Sequence, residues 1–189
     1  LVGNSKEIEV KLLIKNPEQA GRLLLNLGLL KVDTCIEDDY YFNHPCRNFA
    51  ESDEALRLRS RNCGSSRTHV LTYKGPREIA LSRVKVREEL EVYLDERGFT
   101  EIKAILSRLG FKQVTCFTKK REIYSGRGVK ASIDLLYGVG YFLELELEPH
   151  ADEAYFKQLV DEVLRGLEAT IVEKTYLEVC IETGKCVKS

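Results

Sequence analysis

The 189-residue chain has no methionine, no pair of cysteines at CxxC spacing and no glycine-rich GxxxxGK(S/T) phosphate loop. The missing methionine carries no functional message, but the other two absences exclude chemistry. Six cysteines, Cys35, Cys46, Cys63, Cys116, Cys180 and Cys186, are scattered without regular spacing. This pattern disfavours zinc ligands and a disulfide framework and predicts reduced structural thiols, with only the closeness of Cys180 and Cys186 pointing weakly to redox chemistry. Without a phosphate loop after a strand, a P-loop nucleotide site is excluded. His44, His69 and His150 show no ligand spacing and are assigned no chemistry. No apolar run reaches the roughly 18 residues of a membrane span, and residues 1–15 lack the form of a signal peptide, so a soluble, cytoplasmic protein with no membrane partner is expected. Charge of one sign is lacking too: 29 Lys plus Arg face 30 Asp plus Glu, a formal net charge of −1. No global basic field therefore argues for nucleic acid. No repeat, low-complexity tract or long linker interrupts the chain, and its length suits a single domain over 1–189.

Charge is balanced overall but sorted locally. Glu7-Ile8-Glu9-Val10-Lys11 places charged side chains at period two, with Ile8 and Val10 opposite. The pattern recurs in Arg57-Leu58-Arg59-Ser60-Arg61, in Lys85-Val86-Arg87 leading to Glu89-Leu90-Glu91, in Lys119-Lys120-Arg121 and in Glu144-Leu145-Glu146-Leu147-Glu148. Residues i and i+2 of a strand share a face, so each segment builds one polar row. A single row is ordinarily solvent exposure. Several rows of mixed acid and base describe a sheet that turns its charges onto something, and a polyanion held with metal ions fits.

Asn16-Pro17-Glu18-Gln19 reads as a helix start after a strand over 6–15, and Gly28 as its end. Strands are predicted over about 31–43, 54–62, 67–74, 83–94, 112–125, 128–137 and 141–148, with a hairpin turn at 62–66. Thr100 is read as the cap of a helix through Arg108, residues 152–166 as an amphipathic helix, and 173–182 as a short helix or strand. Strands that follow one another mostly through turns favour an α+β chain: a closed antiparallel sheet with flanking helices.

In that order, Glu7-x-Glu9-x-Lys11, Asp39-Tyr40-Tyr41-Phe42, Arg57-x-Arg59, Thr72-Tyr73-Lys74-Gly75-Pro76, Lys119-x-Arg121, Asp134 and Glu144-x-Glu146 resemble the motifs of the CYTH superfamily. These are the triphosphate tunnel metalloenzymes, which include class IV adenylyl cyclases, thiamine triphosphatases and inorganic triphosphatases. The likeness runs from Glu7 to Glu148, and the segment from Pro45 to Arg57 is most similar to the class IV adenylyl cyclase branch. The resemblance implies a closed eight-stranded antiparallel β-barrel, a tunnel open at both ends with charges pointing inward, and a homodimer.

Within that frame, Lys11, Arg57, Arg59, Lys74, Lys119 and Arg121 would grip the phosphates and carry catalysis, with Lys85 and Arg87 as further substrate contacts. Arg clamps phosphate in a planar fork, whereas Lys acts as a point charge. Asp134 resembles a family position that orients a basic residue or a metal-bound water. Glu7, Glu9, Glu144 and Glu146 would lie together once the first and last strands close, and such hard oxygen donors suit Mg2+ or Mn2+. Glu89 and Glu91 either join them or pair with neighbouring arginines. The implied activity is metal-dependent conversion of ATP to cyclic AMP and pyrophosphate. The alternative is hydrolysis of an inorganic or organic triphosphate, such as tripolyphosphate, thiamine triphosphate or a nucleoside triphosphate.

Overall fold

Period-two alternation decides the architecture of the computed structural model, which describes residues 5–6, 8–79 and 85–188. In chain order the elements are β1 (Ser5–Lys6), β2 (Ile8–Ile14), α1 (Pro17–Asn26), β3 (Leu30–Asn43), β4 (Ala55–Cys63), β5 (Ser66–Lys74), β6 (Glu78–Ile79), β7 (Lys85–Val86) and β8 (Glu88–Leu94). They continue as α2 (Glu96–Arg108), β9 (Lys112–Gly126), β10 (Val129–Leu136), β11 (Gly140–Leu147), α3 (Glu153–Gly166), β12 (Ala169–Ile171) and α4 (Tyr176–Thr183).

Eight long strands lie side by side in the order β8-β5-β4-β3-β9-β10-β11-β2, each antiparallel to its neighbours. The two ends of this row meet. Ser5 and Lys6 of β1 pair with Glu89 and Glu88 of β8, while Glu9 of β2 pairs with Lys85 of β7. Since β1 leads into β2 and β7 into β8, these pairs share one antiparallel register and join the two edges. Closure leaves no long edge strand to template aggregation. Beyond Glu9, the same side of β2 takes β12, which pairs with Leu12 to Ile14.

The apolar rows face outward, under the helices. Val10, Leu12, Ile14, Ile133, Leu143 and Leu145 pack against Ala20 and Leu24 of α1 and Phe156, Leu159 and Val163 of α3. Tyr40, Phe42 and Leu58 pack beneath Leu106 of α2, with Phe99 and Ile102 beside it. Burying such side chains is worth about 1.5–3 kcal/mol each, so the helices force the alternating charged rows inward.

Local signals explain the helix ends. Asn16 Oδ1 accepts from the Gln19 amide at 2.9 Å with Pro17 in the first turn, as the sequence predicts. The start of α2 differs from its prediction. Asp95, not Thr100, is the cap, accepting from the Gly98 amide at 2.7 Å, while the Thr100 hydroxyl donates to the Glu96 carbonyl inside the helix. The carboxylate one turn earlier captures the free amide first. The region 173–182 resolves as helix α4, opened by a Thr175–Glu178 capping box and closed by Gly184 in the left-handed region.

The expectation of reduced thiols is overturned: Cys35 is bonded to Cys63 and Cys180 to Cys186, leaving Cys46 and Cys116 free. A separation of 28 residues hides that Cys35 and Cys63 are direct cross-strand partners, with Cα atoms 4.2 Å apart. The turn at Gly184 brings Cys186 back to α4. Cys63→Ser should lower unfolding free energy by about 3 kcal/mol, from the loop the bond closes, as measured by denaturant titration under non-reducing conditions.

Candidate active site

Charged side chains converge on the interior from all eight strands. Glu9 and Lys11 of β2 face inward beside Glu144 and Glu146 of β11, their register partners being Lys11↔Glu144 and Glu9↔Glu146. Asp134 of β10 pairs in register with Arg121 of β9, Lys119 with Glu37 of β3, and Asp39 with Arg59 of β4. Thr72 and Lys74 of β5 then oppose Glu91 and Glu89 of β8. Lys11, Arg57, Arg59, Lys74, Lys119 and Arg121 therefore share one face, while Arg87 is buried at the break between β7 and β8. Glu7 and the side chain of Lys85 lie outside the described residues, although the backbone of Lys85 sits opposite Glu9.

These side chains cross-pair. Arg59 clamps Asp39 with Nε and Nη2 at 2.5 and 2.8 Å and reaches Glu37 at 3.1 Å. Glu37 also receives Arg61 at 2.6 Å and Lys119 at 3.1 Å. Arg121 forks onto Asp134 at 2.7 and 2.5 Å and touches Glu144, which Lys11 approaches to 3.1 Å. Glu89 and Glu91 take basic partners: Lys74 bonds Glu89, and Arg57 lies 4.0 Å from Glu91. Asp134 accepts from both Arg121 and Tyr176.

Burial and these pairings shift ionisation in one consistent way. Burial by itself would raise Glu37, Asp39 and Glu144. It is outweighed by the cations together, Arg59, Lys119, Arg121 and Arg61 at Glu37, Arg59, Arg57 and Lys119 at Asp39, and Lys11, Arg121 and Lys119 at Glu144, so all three sit below the ordinary carboxylate range. Lys119 goes the other way for a cation: burial, then Arg121, lowers its ammonium, with Glu37 and Asp134 opposing. The carboxylates titrate lower in the folded protein, so the unfolded chain takes up protons first as pH falls. Stability should be full above about pH 4.5, the ordinary Glu value, and fall as pH drops through the lowered values, as acid titration of the circular dichroism signal would show.

Two observations mark what the interior lacks. The Nε groups of Arg57 and Arg87 are buried without a hydrogen-bond partner among the described residues, although Arg57 Nη2 donates to Thr72 Oγ1 at 3.2 Å. A buried unsatisfied donor costs about 1–3 kcal/mol, and an anion would relieve it. Glu9 and Glu146 stand directly opposite each other, a like-charge arrangement that destabilises a sheet. Glu144 shares that face, but among the described residues the oxygens of Glu9, Glu144 and Glu146 do not all lie within 4.8 Å of one another, so seating a divalent cation there would need these side chains to rotate and Glu144 to leave its basic partners.

Sequence reasoning missed the residue that closes one end. Tyr41, Ala55, Phe117, Leu136 and Phe142 continue the inward-facing rows as an apolar layer, onto which α4 packs Tyr176, Val179 and Cys180. The Tyr176 hydroxyl donates to Asp134 at 2.7 Å, and its ring lies 4.1 Å from Lys11 Nζ and 4.7 Å from Lys119 Nζ. Arg77 ties α4 to the loop before β4, bonding Glu178 at 2.9 Å and Asp53 at 2.6 Å. The expected opening at both ends is thus corrected: α4 covers one of them. Glu37, Asp39, Arg61 and Thr72 also went unassigned; inward parity with Arg57 and Arg59 was the available signal.

A closed antiparallel sheet with acids and bases on its inner face is the geometry against which comparison becomes informative. The model of the CYTH domain matches residues 5–176. The chain belongs to the CYTH family. A protein of Methanocaldococcus jannaschii named "putative adenylate cyclase" is 35% identical over 178 residues, covering 91% of this chain and 97% of that protein. The structure of the PH1819 protein from Pyrococcus horikoshii superposes with a TM-score of 0.78 at 31% identity, over 94% of this CYTH chain and 99% of its own. A Hippeastrum protein described as a putative adenylyl cyclase with a dominant triphosphatase activity shares the fold, with a TM-score of 0.69 at 20% identity over 96% and 97% of the two chains. CYTH proteins are metal-dependent and bind triphosphates. No helix among the described residues of this CYTH chain is long and apolar enough to cross a membrane.

Proposed function

We propose that the 189 residues act as one CYTH unit that converts ATP to cyclic AMP and pyrophosphate with Mg2+ or Mn2+. The observation that supports the triphosphate reading most is the convergence of Lys11, Arg57, Arg59, Lys74, Lys119 and Arg121 on one inner face, where the Nε of Arg57 is buried without a partner among the described residues. Inward-facing acids and bases are about equal in number. A triphosphate adds about four negative charges, which a wall of balanced charge at low dielectric tolerates only if cations accompany it. Bound divalent cations would supply Lewis acidity at phosphate oxygens, on the side of Glu9, Glu144 and Glu146.

In this reading Arg57, Arg59, Lys74, Arg87 and Arg121, with Lys11, hold phosphate oxygens in exchange for their present carboxylate partners, and Lys85 adds to them from β7. Attack of the ribose 3'-hydroxyl on the α-phosphorus breaks the bond to the β-phosphate bridging oxygen, and these cations stabilise the departing pyrophosphate. Lys119, paired with Glu37 at 3.1 Å, adds a further cation to this grip, and the hydroxyl proton passes to the departing pyrophosphate or to solvent. Asp134 keeps Arg121 aimed inward. The cyclase branch is favoured by the Methanocaldococcus relative and by the segment from Pro45 to Arg57.

A second reading is attack of water on the γ-phosphorus. It is favoured by the engagement of Asn43, which continues the row of Asp39 and Tyr41 on β3: its side chain is held by Asn48 and by the amides of His44 and Phe49, so it is not free to read an adenine edge. Incubation with ATP and separately with tripolyphosphate, with Mg2+ or Mn2+ and a chelator control, decides between them. Cyclic AMP plus pyrophosphate supports the cyclase, orthophosphate supports hydrolysis, and no metal-dependent turnover of either compound overturns the triphosphate reading. Arg57→Ala should lower kcat/KM about 100-fold or more on whichever compound reacts, in steady-state kinetics.

A further inference from the structure

Asp33, Cys35 and Cys63 form a donor set chemically unlike the interior carboxylates. Cys35 and Cys63 oppose each other on β3 and β4, and the other neighbour of Cys35 is Arg121 on β9. Cys35 shares the face of Glu37 and Asp39 two and four residues along β3, so the sulfurs belong to the inner wall. Asp33 is exposed, Cys63 half-buried and Cys35 buried, so the group runs from solvent into the wall. One carboxylate oxygen and both sulfurs lie within 4.8 Å of one another. A tetrahedral ion with metal–sulfur bonds of about 2.3 Å needs its sulfurs roughly 3.8 Å apart. With the two Cα atoms 4.2 Å apart, rotation of the side chains after the S–S bond opens provides that spacing without moving the strands.

We propose that Asp33, Cys35 and Cys63 in the reduced protein bind one thiophilic divalent cation of the Zn2+ class, with water completing the tetrahedron, and that disulfide formation expels it. Two thiolates and one carboxylate select Zn2+ over Mg2+, whereas the all-oxygen set of Glu9, Glu144 and Glu146 has the opposite preference. The two metals therefore sort between the two places by softness. The redox step balances with a dithiol as co-reactant: the S–S bond takes two electrons and two protons, the dithiol becomes a disulfide, and the entering cation displaces both thiol protons. Disulfide and cation are alternative staples of the same two strands. Either one holds β3 and β4 together beside Arg121.

Cobalt(II) serves as the probe, because thiolate coordination produces a charge-transfer absorption in the near ultraviolet that oxygen ligands do not. Protein reduced with a dithiol, then freed of it under argon, should take up one equivalent of Co2+ with that absorption, and Zn2+ should bleach it. The oxidised protein should show none. Cys46→Ser, Cys116→Ser and Cys180→Ser should keep the signal, Cys35→Ser or Cys63→Ser should lose it, and Asp33→Asn should weaken Co2+ binding at least tenfold. Zn2+ should also restore the melting temperature lost on reduction. If a cysteine variant does not fold, the exposed Asp33→Asn variant, which keeps both sulfurs, decides. The proposal is overturned by reduced protein without the absorption, by an absorption that survives Cys35→Ser, or by Asp33→Asn binding at wild-type affinity.

Discussion

Glu9→Gln is expected to lower kcat/KM by about 100-fold or more in Mg2+ or Mn2+ while leaving the protein as stable as before. Glu9 and Glu146 are direct partners on β2 and β11. Like charges so placed repel by about 0.2–1 kcal/mol, and losing that repulsion offsets the attraction of Glu9 to Lys11 that the substitution also removes. The same substitution deletes a hard oxygen donor from the set proposed to seat the catalytic cation, and a site with one carboxylate fewer binds a divalent ion more weakly. Activity should therefore fall while stability holds, which a residue with only a structural role would not produce. Kinetics at rising metal concentration, run beside thermal melts, read both quantities. Excess metal should partly rescue turnover. Wild-type turnover in Glu9→Gln would remove the metal seat from this part of the wall.

Asp134→Ala should cost about 3–5 kcal/mol of unfolding free energy. Asp134 is fully buried, holds both ends of the Arg121 fork and accepts from Tyr176. Removing it leaves a buried guanidinium with Glu144 alone and an orphaned hydroxyl on α4, and breaking a buried ion pair from one side is far more costly than never forming it. Asp134→Asn should lose less, because its amide oxygen still accepts from Tyr176 or Arg121. Denaturant titration of both variants gives the comparison. In Asp134→Ala, α4 should also exchange its backbone amides faster, since Tyr176 is its polar anchor in the interior. Equal stability of the two variants would show that acceptance of hydrogen bonds by Asp134 is unimportant.

Much of this was legible in one dimension. The alternation in Glu9-Val10-Lys11, Arg57-Leu58-Arg59 and Glu144-Leu145-Glu146 assigns each residue to a face, and the described members of those rows do face the interior. Asn16-Pro17 announces a helix that begins where expected. Thr100 misled because several polar residues near a helix start can all cap it, and the earliest one in reach prevails. The strand predicted over 83–94 is broken at Arg87 into β7 and β8, a division that serves closure against β1 and β2.

Tyr176 could not be found by periodicity, because it enters the barrel from a helix packed across its end, and no strand pattern registers that approach. Cys35 and Cys63 looked unrelated because their adjacency follows from the pairing of β3 with β4, not from spacing. The sequence by itself determined which side chains point inward and that they would be acids and bases together, since the face of a strand residue follows from its neighbours two positions away. Only the tertiary structure decided which acid meets which base, which end is covered and which sulfurs touch, because those depend on register and closure between segments far apart in the chain.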